Sequence, residues 1–376
     1  MLAFARARAL SQARAVWQWW NYLEGSVASS KRALRINMDE TSISLDQGDV
    51  RGVIFCSKQR RRGGQAPVRR IGRAKRRTCL THIAFICDEP EIQARLPQIV
   101  VGNLATFLVR DWAAIVDGEP ANFYVVRQAS AWNNAALLCR VIHVLGRILE
   151  PYLANWQPIL LFDACRIHLA PSVWLACRAA RIWPIVVPPR LTGALQPLDT
   201  HAFCGFKRAL RQCHQNKQLR GATPNLGIIS FLECLYEAAQ LSLVSKRWAT
   251  AFDEDGFGMR QAAVSRHARR ELGFREGVGL GAPAEEPTEA TLRLCFPRRM
   301  RAPVGGVAAL VRRSLTDLTP RPPLALPPPP PLAPEAAAGS GGASSSSGVG
   351  PIAARTRAAT KALASAAAGS HRSALV

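Results

Sequence analysis

Residues 158–163 read Pro158-Ile159-Leu160-Leu161-Phe162-Asp163, a short and wholly apolar run that ends on an acid. An apolar run of this length without alternation is typical of a strand that is buried on both faces of a sheet. A helix is expected after it, from about Pro171 to Ala180, followed by a second buried run from Ile182 to Val187. Strands that alternate with helices in this way predict an α/β fold with helices on the faces of the sheet.

Further strands are expected before this stretch. The apolar pattern predicts one strand over residues 35–43, a second over Gly52–Cys56, a third over Cys79–Cys87 and a short one over Leu96–Val101. Their sequential order suggests an antiparallel meander, so the sheet is expected to be mixed. Helices are expected at Ala7–Leu23, Ala131–Leu149 and Thr200–His214.

Composition divides the chain into three parts. Residues 1–34 form a helical lead-in, residues 35–275 form the main folded domain, and residues 276–376 form a tail rich in Pro, Ala and Ser. The tail contains the run Pro327–Pro331 and has few bulky apolar residues to offset the entropy of ordering, so we expect it to be disordered.

The charge of the chain points to a polyanionic partner. Lys and Arg total 49 against 26 acidic residues, which gives a formal net charge of +23. No apolar run approaches the roughly 20 residues of a membrane span, so DNA is the expected partner and a membrane is not. The 10 cysteines are too few for a small disulfide scaffold and fit a reducing compartment, the cytosol or the nucleus.

A basic segment lies between the second and third expected strands. It carries ten cations and no acid: Lys58, Arg60, Arg61, Arg62, Arg69, Arg70, Arg73, Lys75, Arg76 and Arg77. A solvated loop is one interpretation. We favour contact with phosphates, because like charges without partners repel one another unless an anion neutralises them.

Three aspartates stand at the ends of expected elements. Asp39 lies on the first strand, Asp163 ends a buried strand, and Asp199 opens a helix after a loop. Converging carboxylates can bind two Mg²⁺ or Mn²⁺ ions, which support an in-line phosphoryl displacement. Taken singly, each acid also has a structural interpretation, as a helix cap or a turn residue.

The flanking residues resemble the pogo/jerky branch of mariner-type DDE transposases. The segment Asn37-Met38-Asp39-Glu40-Thr41 is similar to the first motif of that family, and Phe162-Asp163 with His168 five residues on is similar to the second. The third motif is the most specific: Val187-Pro188-Pro189, then Gln196-Pro197-Leu198-Asp199, then Phe206-Lys207. The resemblance covers roughly residues 35–275. It implies an RNase H-like fold, two divalent metal ions, cleavage and strand transfer of DNA, and a nuclear protein.

The family's functional residues map onto matching positions of this chain. The resemblance implies that Asp39, Asp163 and Asp199 are metal ligands and that His168 helps to order the site, although a satisfied buried histidine is an equal alternative. It also suggests that Gln196 holds the loop that presents Asp199. Lys207 and Arg208 are candidates for phosphate contact, or for a solvated helix face.

The chain departs from the family pattern in two places. Ala164 follows the second aspartate, where the family has Asn, and this removes a polar side chain beside the metal site. Relatives carry helix-turn-helix domains ahead of the first aspartate, whereas residues 1–34 are too short for them. We therefore expect a fragment, a decayed copy, or a chain that relies on a homodimer or a partner subunit to recognise the DNA ends.

Three rival interpretations follow from the same residues. One is a catalytically inactive, domesticated relative that binds DNA as a chromatin factor, and another is an RNase H-like nuclease that acts on RNA–DNA hybrids. The third is a zinc site formed by two pairs with suitable spacing, Cys165 with His168 and His201 with Cys204.

Overall fold

The computed structural model describes residues 2–45, 79–221, 226–258, 264–273, 282–297, 300 and 303–315. Its strands are β1 (Arg32–Ser44), β2 (Cys79–Cys87), β3 (Gln98–Asn103), β4 (Phe123–Gln128), β5 (Trp156–Asp163) and β6 (Trp183–Val187). Its helices are α1 (Leu2–Gly25), α2 (Pro90–Gln93), α3 (Val109–Asp117), α4 (Ala135–Leu149), α5 (Pro171–Ala179), α6 (Thr192–Leu195), α7 (Phe203–Gly221), α8 (Ile228–Ala239), α9 (Ala249–Glu254), α10 (Arg266–Leu272), α11 (Glu289–Cys295) and α12 (Gly306–Leu315).

The six strands form one mixed sheet in the order β4-β3-β2-β1-β5-β6. β2 is antiparallel to both of its neighbours, whereas the pairs β3–β4, β1–β5 and β5–β6 are parallel. All strands except β2 therefore run in the same direction, and their carboxyl ends share one side of the sheet, which we call the carboxyl edge. The sheet and its flanking helices confirm the expected α/β class and are consistent with an RNase H-like fold.

Most of the expected strands are present within three residues of their predicted ends. The burial of β5 and β6 explains their apolar sequences, because every residue of β6 and all of residues 157–162 in β5 are buried. The strand β4 was not predicted, although Phe123-Tyr124-Val125-Val126 has the aromatic and β-branched composition of a strand. The strand expected over Gly52–Cys56 lies outside the described residues.

The helix α1 is part of the same hydrophobic core as the sheet. Trp17, Trp19 and Trp20 are fully buried, and the Trp17 indole Nε1 donates to the Asp255 carbonyl at 3.1 Å. Gly256 has a φ of +89°, and a Cβ atom there would lie 2.3 Å from Trp17 Nε1. Only glycine combines this backbone conformation with such a close approach, so Gly256 allows the Trp17 ring to be buried.

The expected disorder of residues 276–376 is wrong for part of that range. The helices α11 and α12 lie within it, and Phe296, just after α11, is buried with its ring 6.1 Å from the ring of Trp19. Asn21 of α1 also donates to the Ala282 carbonyl at 2.8 Å. The helix α11 packs against α1, more than 250 residues away, and α12 packs against α11, α5 and β6, and composition reveals none of these contacts. Residues 316–376, including the proline run, lie outside the described residues.

None of the helices in the described residues has both the length and the hydropathy that crossing a lipid bilayer requires.

Candidate active site

Asp39 and Asp163 lie on neighbouring parallel strands near the carboxyl edge. The β1–β5 register pairs Asn37 with Leu161, and each aspartate follows two residues after its member of that pair. Because side chains alternate between faces along a strand, Asp39 and Asp163 project from the same face of the sheet. Asp39 is buried, whereas the Asp163 side chain is 31% exposed. The topology therefore brings together two acids that are far apart in the sequence.

Asp199 reaches this face on a loop that is tied to β1. It lies in a π-helical turn, Leu198–Ala202. The buried Asn37 side chain accepts a hydrogen bond from the Leu198 N–H at 2.8 Å and donates to the Leu161 carbonyl at 3.1 Å. The Gln196 side-chain amide lies 3.4 Å from the Met38 carbonyl. The buried Asn37 amide thus joins β1, β5 and the turn that carries Asp199.

The three aspartates interact electrostatically. The pKa of Asp39 is raised from 3.8 to about 8, first by burial and then by the charges of Asp199, Glu40 and Asp163. Burial also raises the pKa of Asp199, with a smaller contribution from Asp163, while a hydrogen bond from Thr192 opposes the shift. The charges of Asp163 and Asp199 thus act on Asp39, and that of Asp163 acts on Asp199, so the three carboxylates share one electrostatic environment.

His168 connects Asp163 to a fourth acid, Glu40. The ring of His168 is fully buried, with Nδ1 2.6 Å from Asp163 Oδ1 and Nε2 3.0 Å from Glu40 Oε1. Burial alone would lower the pKa of His168, but the hydrogen bonds and charges of Asp163 and Glu40 raise it well above its usual range. His168 thus links Asp163 to Glu40, and its contact with Oδ1 fixes the orientation of the Asp163 carboxylate.

Glu40 and Asn133 were missed at the sequence level. The Asn133 side chain donates to Glu40 Oε1 at 2.6 Å, across a separation of 93 residues. Glu40 lies within the first quoted motif, so its position was visible in the sequence. Its role was not, because its partners His168 and Asn133 come from distant segments and no local pattern joins them.

The far side of the Asp199 turn is anchored to α9. The Thr200 hydroxyl donates to Asp255 Oδ2 at 2.6 Å, and His201 Nε2 lies 3.3 Å from Asp255 Oδ1. Burial raises the pKa of Asp255, whereas the hydrogen bonds from His201 and Thr200 oppose that shift. The turn is thus held by β1 on one side and by the end of α9 on the other.

Of the candidate phosphate contacts, the structure describes Lys207 and Arg208. Both are exposed on α7, and the charge of Lys207 acts to lower the pKa of Asp199, which places the ammonium group near the site. The ten cations between Lys58 and Arg77 lie outside the described residues.

The described residues contain no group of three or more His, Cys, Asp or Glu side chains arranged to hold a metal ion. This holds for the three aspartates as well as for the two Cys–His pairs of the zinc interpretation, in which both nitrogens of His168 face carboxylates and Nε2 of His201 faces Asp255. Ala164 is nearly buried and its N–H donates to the Val187 carbonyl at 3.0 Å. This position therefore contributes backbone structure to the site and no polar side chain.

Comparison with known proteins gives little further information. No family model matches the sequence, and no curated protein matches it. A chain of the solved structure described as "Mos1 transposase paired-end complex with left transposon end" matches with a TM-score of 0.31 and 14% sequence identity. The match covers 66% of this chain and 62% of that one, so the chain spans less than two thirds of the transposase it resembles. A likeness this distant carries no argument about activity.

Proposed function

We propose that this chain is a DDE-type DNA endonuclease and strand transferase of the pogo/jerky branch, in which Asp39, Asp163 and Asp199 hold two divalent ions, Mg²⁺ or Mn²⁺. The observation that carries the proposal is the position of these acids. They come from two strands and a separately anchored turn, they lie at the carboxyl edge, and each interacts electrostatically with the others. Ligands of open α/β sheets bind at this edge.

The donor chemistry of the site suits such ions. Magnesium prefers hard carboxylate oxygens, and it keeps several waters or substrate phosphates among its ligands. A complete protein cage is therefore not required before DNA binds, which reconciles the proposal with the absence of a three-ligand metal group among the described residues. When bound, two ions stabilise the attacking and leaving oxygens of the phosphodiester.

The surrounding residues position this site and its substrate. His168 orients Asp163 through Nδ1, and Asn37 holds the turn that carries Asp199. Lys207 is exposed beside Asp199, where an ammonium group can contact a DNA phosphate. The net charge of +23 supports association with a polyanion of any sequence.

Plasmid nicking in Mg²⁺ tests the proposal. We expect the full chain to nick supercoiled DNA, and we expect Asp163→Ala to reduce nicking to the level seen with EDTA while DNA binding persists. Asp117→Asn removes an exposed acid at the end of α3 and serves as a matched control, with wild-type activity expected. Equal nicking by the wild type and Asp163→Ala would reject the assignment.

A second candidate is a catalytically inactive relative that binds DNA. Ala164 favours it, because this position offers no polar side chain beside Asp163. The inactive relative would bind duplex DNA in a salt-sensitive and sequence-indifferent manner. It would also show no nicking in Mg²⁺ or Mn²⁺, so the same assay separates the two functions.

A further inference from the structure

The loop that follows β4 emerges at the same edge of the sheet as the three aspartates. β4 ends at Gln128, α4 begins at Ala135, and residues 129–134 connect them. β4 runs in the same direction as β1 and β5, so its carboxyl end shares their edge. In an open α/β sheet, loops at this edge contact the ligand.

This loop is also tied directly to the candidate site. Asn133 is buried and donates to Glu40, the residue that follows Asp39. Its neighbour Asn134 caps α4 by accepting the Leu137 N–H at 2.9 Å. The loop therefore reaches from the outer strand β4 back to the central strand β1.

Trp132, next to Asn133, has its backbone fixed and its ring in solvent. Its N–H donates to the Ser130 hydroxyl at 3.2 Å, and its carbonyl accepts from Gln128 Nε2 at 2.6 Å. The side chain is nevertheless 74% exposed, and Trp132 is the single aromatic residue among the exposed large hydrophobic side chains of the described ranges. An indole ring on a fixed backbone offers a flat aromatic face to a partner at little cost in conformational entropy.

The surroundings of the ring favour a nucleobase over an apolar protein surface. Within the loop, Trp132 is flanked by small or polar residues: Ala129, Ser130, Ala131, Asn133 and Asn134. A protein partner would require a broader apolar patch, whereas a base needs one aromatic face. Trp132 is adjacent to Asn133, which contacts Glu40 beside Asp39, and consecutive Cα atoms are about 3.8 Å apart. The Trp132 backbone therefore lies within the span of a few nucleotides of the acids.

We infer that Trp132 stacks on an unpaired DNA base close to the phosphodiester that the site cleaves. The inference rests on the proposed function for the identity of the ligand. It adds a specific contact surface: an indole face that holds a single-stranded nucleotide beside the carboxylates whatever its sequence.

Fluorescence of 2-aminopurine tests this inference with the full chain in EDTA, where no cleavage occurs. The probe is a thymidine oligonucleotide that carries one 2-aminopurine, whose emission is quenched by stacking. We expect the wild type to quench it and Trp132→Ala to lose the quenching, with binding weakened about 5- to 150-fold, the range for loss of one stacked base. We expect Trp132→Phe to retain most of both effects.

Two further variants separate stacking on an aromatic face from a general apolar contact. Trp132→Leu keeps an apolar side chain without a π face and is expected to behave like Trp132→Ala. Val109→Ala removes a side chain of similar exposure, 75%, at the start of α3 and is expected to behave like the wild type. Thermal unfolding checks that each variant is folded.

The outcomes distinguish this inference from the proposed function. Wild-type protein that fails to quench the probe, unchanged quenching in Trp132→Ala, or rescue by leucine as complete as by phenylalanine would each overturn the stacking role, even where nicking is observed. Quenching that depends on Trp132, together with an absence of metal-dependent nicking, supports the stacking role and rejects only the nuclease.

Discussion

Arg35 and Asp39 project from the same face of β1, four residues apart, but the charges that surround them differ. Arg35 Nε lies 2.6 Å from Asp88 Oδ2, and its Nη1 lies 2.5 Å from Asp253 Oδ1. Around Asp39, by contrast, the nearby side-chain charges that alter its pKa are carboxylates. Arg35 thus contacts both of its acids directly, whereas the charged neighbours of Asp39 itself are acids, and His168 and Lys207 act on those neighbours instead.

The pKa shifts express this difference. Burial raises the pKa of Asp88, but Arg35 opposes the shift. Burial raises the pKa of Asp39 as well, and there the neighbouring charges of Asp199, Glu40 and Asp163 add to the shift. An acid that contacts its counter-ion is typical of an ion pair that stabilises the fold, whereas a buried acid whose charged neighbours are acids, such as Asp39, is typical of a site that takes up a proton or a metal ion.

The largest effect is expected from removing the internal cation. Arg35→Met leaves two acids without their partner, and breaking a buried ion pair on one side costs about 3–5 kcal/mol of unfolding free energy. Urea unfolding measures the loss. Arg32→Met is the matched control on the same strand, because it removes only an exposed cation over the Trp156 ring, a contact that contributes about 0.5–1 kcal/mol. Equal losses of unfolding free energy in Arg35→Met and Arg32→Met would contradict a special role for the Arg35 ion pairs.

A smaller effect of opposite sign is expected at Asp39. The pKa of Asp39 is higher in the folded protein than in the unfolded chain. Its contribution to the free energy of unfolding is therefore fully present below about pH 4 and is lost as the pH rises towards 8. Asp39→Asn removes this loss and is expected to stabilise the metal-free protein by about 2–4 kcal/mol at pH 7.5, but not at pH 4. Urea unfolding at both pH values tests this, and a less stable variant at pH 7.5 would refute it.

The smallest effect is expected from adding Mg²⁺. An ion that binds only the folded state stabilises it by about 2.7 kcal/mol at a concentration 100 times its Kd. We expect this gain in the wild type and in Asp117→Asn, and we expect its loss in Asp39→Asn. The gain should be larger at pH 8 than at pH 6, because protons compete for Asp39. Thermal melts with Mg²⁺ or EDTA measure it, and an equal gain in Asp39→Asn would place the ion elsewhere.

The sequence predicted those parts of the fold that leave a local pattern. β5 and β6 were visible as apolar runs because both of their faces are buried. The strand β4 was overlooked, and α11 and α12 were hidden because they pack against elements that are distant in the sequence, α11 against α1 and α12 against α5 and β6.

The candidate site divides in the same way. The three aspartates were found through the residues that flank them in the chain. Glu40, Asn133 and the Arg35 ion pairs were not found, because their contacts join residues that are 53 to 218 positions apart. Pairwise chemistry between distant segments becomes visible only once the sheet order is known.

The location of Asp39 within the sheet has a consequence for its motion. Its backbone is paired with Ala84 of β2 in an inner strand, not in a peripheral loop. The backbone of Asp39 is therefore ordered when the protein folds, and its buried carboxylate also accepts a hydrogen bond from the Glu40 N–H, so little freedom remains to be lost when a substrate arrives. Such a group is preorganised by the sheet that carries it.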